Sequence, residues 1–122
     1  MLSSVLLEEV PAPSIAPGEP IDLGHLKRMT LGDRSLQREV LELFDRQADM
    51  LIARMQEAAP AVVSACAHTL KGSASGIGAF GVARAAEAVE LASADDLRAS
   101  VGRLGASIGA TKAIIAELLR SH

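Results

Sequence analysis

Leu97, Val101, Leu104, Ile108, Thr111, Ile115 and Leu118 recur at alternating steps of four and three along the C-terminal quarter of the chain. That spacing returns to one side of an α-helix every two turns, and it is the seam a bundle helix turns toward its neighbours. A seam of this length has to be buried against other helices, so it points to an all-α chain. The predicted helix runs from about 96 to 120, capped by Ser93 or Asp95. Beside the seam stand Gly102, Gly105 and Gly109, each costing about 1 kcal/mol of helix propensity relative to alanine. They read either as the site of a close helix contact or as glycines tolerated in a stable bundle. The apolar fraction is 49%, with no Trp, no Tyr and two Phe, so the core must be aliphatic and rich in alanine, which suits closely packed helices.

Earlier in the chain the same period recurs. Asp22 can cap a short helix over about 22–30 that carries Leu23, Leu26 and Met29 on one face, with Gly32 ending it. Asp33 then caps a long helix to about Glu57, with Leu36, Val40, Leu43, Phe44, Gln47, Met50, Leu51 and Met55 on the expected core stripe. Pro60 suits a first helical turn and opens a third helix, which should stop near Gly76 and Gly78. A fourth, about 80–93, turns Val82, Ala85, Ala86 and Val89 inward. Short connections between long helices force antiparallel neighbours. The expected fold is therefore an antiparallel up-down-up-down four-helix bundle over 21–122 with a short extra N-terminal helix; no strand or βαβ signal is present.

Residues 1–20 hold all but one of the prolines and read as an extended leader or linker, because proline lacks the amide proton and disfavours helix in the residue before it. Whether its Val5-Leu6-Leu7 patch docks on the bundle is left open. At 122 residues the chain is one domain by length. A net charge of -3 offers no basic surface to nucleic acid or an acidic membrane. No segment reaches the ~18 apolar residues of a membrane span, and the N-terminus lacks the basic start of a signal peptide. A cytoplasmic protein is expected. The lone Cys66 forms no disulfide framework within the chain and fits a reducing compartment; it reads as a small core hydrophobe.

The third helix carries the chemistry. At about 100° per residue, Val63, Cys66, Ala67, Leu70, Ala74 and Ile77 fall within one stripe roughly 100° wide. His68 falls about 140° from the centre of that stripe, among Ala61, Ser64, Ala65, Lys71, Gly72 and Ser75. Cys66 and His68 point to separate faces and cannot share a metal. No His-x-x-x-His, Glu-x-x-His or paired-Cys spacing suggests a metal elsewhere.

The run His68-Thr69-Leu70-Lys71-Gly72-Ser73-Ala74, continued by Ser75-Gly76-Ile77-Gly78-Ala79, resembles the signature of the histidine-containing phosphotransfer (HPt) domain of two-component phosphorelays. The resemblance extends in less detail from about Ile21 to the C-terminus. It implies a helical bundle whose exposed histidine takes a phosphoryl group from one receiver-domain aspartate and passes it to another. An imidazole with a pKa near 6.5 has a neutral nucleophilic nitrogen available near neutral pH, and exposure is needed for an in-line donor held on another protein. Lys71, one turn on, can bring its ammonium to the phosphoryl oxygens. Gly72, four residues on, removes a side chain that would crowd the partner.

The family also implies a polar side chain on the following helix to hold the other ring nitrogen. If the turn centres near residue 79, Glu90 faces His68 and Glu87 faces Lys71. Many relatives have glutamine in that role, and either acid also reads as an ordinary exposed carboxylate. Ser64 and Ser75 either bond the phosphate or solvate it. Ala61, Ser64, Ala65, Ser75 and Ala79 are expected to line the partner surface around Gly72, together with part of the neighbouring long helix. His25 reads as a surface residue and His122 as a frayed terminus.

On this reading the chain is a phosphocarrier and not an enzyme. It has no cofactor, because the receiver brings the Mg²⁺. The expected partners are response-regulator receiver domains and a hybrid or sensor histidine kinase, and the expected state is a monomer. Two alternatives stand beside it. A sensor-kinase dimerisation domain usually has an acid directly after its histidine, where Thr69 stands here, and no glycine-rich ATP lid is present. A helical adaptor that binds receivers or kinases without taking phosphate would present the same surface.

Overall fold

The structure is a computed structural model that describes residues 20–121. The expectations for residues 1–19, including the Val5-Leu6-Leu7 patch, and for His122 lie outside the described residues. Five helices follow one another: α1 Leu23–Met29, α2 Arg34–Met55, α3 Pro60–Ile77, α4 Phe80–Leu91 and α5 Leu97–Ser121. No strand occurs among the described residues. Helix α3 packs between α2 and α4, α5 closes the ring against α4 and α2, and α1 lies across α3. The short connections make each long helix antiparallel to the next, so the architecture is the expected four-helix bundle with an extra short helix. None of these helices is long and apolar enough to cross a membrane.

The helix ends follow from local chemistry. Asp22 and Asp33 each accept a backbone N–H three residues on, from His25 and Leu36 at 3.1 Å, which satisfies a donor the helix itself leaves free. Pro60 occupies the first turn of α3 after Ala59, which makes no side-chain cap bond. Neither offered cap directly precedes α5: Asp96 does, its carbonyl accepting the Ser100 N–H at 2.9 Å, while Ser93 ties the turn before it, its hydroxyl oxygen accepting the Asp96 N–H at 3.3 Å and its O–H donating to the Asp96 carboxylate at 3.2 Å. Gly78 ends α3 in the left-handed region at φ 85°. A Cβ there would stand 2.8 Å from the backbone oxygen of Asp22, because the Asp22 N–H donates to Gly78 O at 2.8 Å and draws the start of α1 onto the end of α3. Glycine is required at this position.

The core is aliphatic, as composition demands. Helix α3 buries Val63, Cys66, Ala67, Leu70, Ala74 and Ile77, the six residues of its expected stripe. Helix α4 buries Val82, Ala83, Ala86 and Val89, with Ala85 half-buried. Along α5, Ser100, Leu104, Ile108, Thr111 and Ile115 are buried and Leu97, Val101 and Leu118 half-buried. Thr111 is accommodated because its hydroxyl donates to Ser107 O at 2.9 Å.

Helix α2 departs from expectation. Its buried residues are Leu41, Phe44, Ala48 and Met55, while Leu36, Leu43 and Met50 are 37%, 58% and 68% exposed. Two apolar lines run side by side on this helix. Because α2 packs on both α3 and α5, the buried line is the one that bisects them, and Ile52 faces α5 at Gly105. Lys112 of α5 bonds Asp45 at 2.6 Å and Asp49 at 3.0 Å on that same side. Leu36, Leu43 and Met50 lie on the other side of the wheel, roughly 110–150° from the centre of the buried line, and are left exposed.

Three smaller corrections follow. In α1 only Leu26 is buried, with Leu23 and Met29 left exposed, since so short a helix meets α3 along one line. His25 is half-buried rather than on the surface, its ring edge-on to Phe80 with centroids 5.2 Å apart. The glycine line on α5 makes no close contact. A Cβ at Gly102 or Gly109 would meet nothing within 4 Å, and one at Gly105 would touch Ile52 at an ordinary 3.9 Å.

Candidate functional site

The buried stripe of α3 fixes the direction of every other residue on that helix. His68 stands opposite it, and its side chain is 71% exposed. Thr69 is engaged locally, donating its hydroxyl proton to Ala65 O at 3.2 Å. The α3–α4 connection is only Gly78-Ala79, so residues equally far from Ala79 in sequence come face to face. That relation brings Glu90 of α4 to His68.

One carboxylate serves two residues of α3. Glu90 Oε2 lies 2.9 Å from His68 Nδ1, and Oε1 lies 3.1 Å from Lys71 Nζ. Oε1 is buried without a well-angled hydrogen bond, so its compensation is the ion pair with Lys71. Desolvation pushes the Glu90 carboxyl up, but Lys71 and His68 beside it outweigh that and hold it below the ordinary carboxylate value. It is therefore ionised near neutral pH and can only accept. The proton of neutral His68 is thereby placed on Nδ1, and Nε2 carries the free lone pair on the exposed side of the ring. Lys71 is one-third exposed and can reach a group arriving at Nε2 from one turn away.

The remaining expected site residues divide. Gly72 is exposed, and a Cβ there would meet nothing within 4 Å. Ala61 and Ala65 are exposed, Ser64 and Ser75 half-buried, all on the His68 side of α3. Glu87 is exposed on α4, but the acid brought to both His68 and Lys71 is Glu90. Ala79 does not belong to the surface. It is fully buried, because as the residue preceding α4 it turns inward and its N–H donates to Ala74 O at 2.8 Å.

Leu43 and Met50 were not expected at the site. Antiparallel pairing through the 56–59 connection sets Gln47 of α2 at the level of His68, with Leu43 and Met50 about one turn to either side along α2. Two exposed apolar side chains of α2 thus stand near the level of His68. Their seven-residue spacing was visible in the sequence, but it looked like a core seam.

The family model described as the Hpt domain matches residues 39–120. The match takes in most of α2 and all of α3 and α4, and so His68, Lys71, Gly72 and Glu90. No curated protein and no solved structure matches the chain.

Proposed function

The chain belongs to the Hpt domain family, and from that premise we propose that it is a phosphorelay intermediate whose His68 takes a phosphoryl group from one receiver-domain aspartate and delivers it to another. The observation that carries this reading is an exposed imidazole whose Nδ1 is bonded to Glu90, itself paired with Lys71. In the forward step the Nε2 lone pair attacks phosphorus in line, the bond from phosphorus to the aspartyl oxygen breaks, and the aspartate leaves as carboxylate. Glu90 keeps the Nδ1 proton and aligns the ring. Lys71 offsets charge on the equatorial oxygens. The missing side chain at Gly72 opens the approach.

The same residues run the reverse step to a second receiver. Ala61, Ala65 and Gly72, with Leu43 and Met50 of α2, form the proposed docking surface, and Ser64 and Ser75 solvate its edge. Receiver domains and a hybrid or sensor histidine kinase are the proposed partners, with Mg²⁺ and the aspartate supplied by the receiver and no cofactor on this chain. A monomer working in the cytoplasm fits this role.

Incubation with a phosphorylated receiver should give an acid-labile, alkali-stable label on the wild type and none on His68→Gln. Binding of receivers without label would support the adaptor reading, and labelling from ATP by the chain alone would support a sensor-kinase domain.

A further inference from the structure

The bond between Glu90 and Nδ1 bears on the phosphorylated ring as well as the free one. A phosphoryl group on Nε2 departs easily when Nδ1 carries a proton, because the ring then leaves as neutral imidazole. Without that proton it would leave as imidazolate, a far poorer leaving group. The position of one proton therefore decides whether the P–N bond is ready to break.

We propose that Glu90 keeps the phosphorylated His68 ring protonated at Nδ1 through neutral and mildly alkaline pH, so that this carrier holds its phosphoryl group in a transferable form instead of storing it. The proposal rests on His68 being the phosphoacceptor. In transfer, an aspartate oxygen bonds to phosphorus, the Nε2–P bond breaks and its electron pair stays on Nε2. Nδ1 keeps its proton throughout. The ring returns to neutral imidazole with Nδ1 bonded to Glu90, the contact that measures 2.9 Å in the structure, and no proton has to move. In hydrolysis water replaces the aspartate and inorganic phosphate departs.

The surroundings favour this role for Glu90 over any other group. Its side chain is 19% exposed, so the carboxylate is screened less than a surface acid, and ionised it can only accept. A glutamine in its place could equally turn its amide N–H toward a bare Nδ1 and favour the unprotonated ring. Lys71 on the same helix opposes ring protonation, but its charge is shared with Glu90 Oε1 at 3.1 Å. From α4, Glu87 is exposed. From α2, the side away from the buried line presents Leu36, Leu43, Gln47 and Met50; of the charged residues around them, Arg54 and Glu39 stand about two turns from the level of His68, and Arg46, at that level, is turned furthest from the core and exposed to solvent. From α1, His25 lies at the far end of α3 against Phe80.

The test uses the full chain phosphorylated on His68 by phosphoramidate. The ring nitrogens are followed by ¹⁵N NMR, and loss of phosphohistidine is timed from pH 5 to pH 10 in the wild type, Glu90→Gln, Glu90→Ala and Glu87→Gln. An opposite charge in contact moves a pKa by about 1–3 units, and an exposed ring belongs at the low end. Both Glu90 variants should lower the ring's titration midpoint by about one unit, and with it the pH at which lability is lost. Above the wild-type midpoint their phosphohistidine should then outlive the wild type by up to about tenfold. Glu87→Gln should match the wild type. Unshifted midpoints in both Glu90 variants, on protein that carries the label and keeps its helical circular dichroism, would overturn the proposal while leaving the phosphocarrier reading intact. Failure of His68 to take phosphate from phosphoramidate or from any phosphorylated receiver would overturn both.

Discussion

Gly72 separates what the fold needs from what the site needs. It stands inside α3, where glycine costs about 1 kcal/mol relative to alanine. A Cβ built at this position meets nothing within 4 Å, so Gly72→Ala gains helix propensity with no collision inside the molecule. A gain of about 1 kcal/mol raises Tm by roughly 4–8 °C in a domain near this size. The added methyl also stands four residues from His68 on the exposed side of the helix, where an incoming phosphorus must come within about 3–3.5 Å of Nε2. The expected result is a more stable protein that receives phosphate from a receiver at least tenfold more slowly, equivalent to about 1.4 kcal/mol on the barrier. Thermal unfolding by circular dichroism and early-time transfer from a phosphorylated receiver measure the two effects. Gly109→Ala is the control, because its Cβ is equally unopposed but lies on α5, which does not carry His68; it should raise Tm and leave transfer alone. A fall in Tm for Gly72→Ala, or transfer as fast as in the control, would refute the reasoning.

Other substitutions test the remaining assignments. Gly78→Ala should destabilise by about 2–3 kcal/mol, because a left-handed residue with a side chain costs roughly 1–2 kcal/mol and the new Cβ would press on Asp22 O at 2.8 Å; an unchanged urea midpoint would contradict the packing of α1 on α3. Gly105→Ala should raise Tm, since its Cβ would meet Ile52 at an ordinary 3.9 Å; a lower Tm would restore the close-contact reading. Lys112→Met should cost up to about 1 kcal/mol at pH 7. Its pKa is raised, chiefly by the hydrogen bond to Asp45 and despite desolvation. The lysine's contribution is therefore fully present below the ordinary lysine value and lost as pH rises through the raised one, so wild type and variant should converge in strongly alkaline urea titrations. Leu43→Glu should change stability by under about 0.5 kcal/mol, as expected of an exposed position, yet weaken receiver binding in titration calorimetry; unaltered binding would remove Leu43 from the docking surface.

How far the sequence predicts the molecule depends on how many partners each helix has to satisfy. Helix α3 carries one apolar stripe and, Val62 apart, is polar or small elsewhere, so its phase follows from the 3.6-residue period, and the exposure of His68 follows from that phase. Glu90 was legible for an equally local reason. The connection after α3 is so short that the antiparallel register has no freedom, and it decides between Glu90 and Glu87 as the acid that meets His68. The same tight turn hid the burial of Ala79, because a small residue beside a glycine gives no sign of which way it faces. His25 was misread because its neighbour Phe80 is distant in the chain, and no helical period relates the two.

Helix α2 shows where periodicity stops being sufficient, and why the proposed docking surface was harder to find than His68. Its two apolar lines, Leu36-Leu43-Met50 and Leu41-Phe44-Ala48-Met55, both satisfy a helical repeat. Choosing between them requires knowing that α5 packs on one flank and α3 on the other, a tertiary fact with no local trace. Once α5 is in place, held at Ile52 and by Lys112 across Asp45 and Asp49, the second line is drawn into the core and the first is left exposed. Leu43 and Met50, more than half exposed near the level of His68, are costly to leave in water, and burial against a partner would recover that cost. The placement of His68 is thus specified by one helix and its immediate neighbour, whereas the surface proposed to recognise the receiver is specified by the closure of the whole bundle.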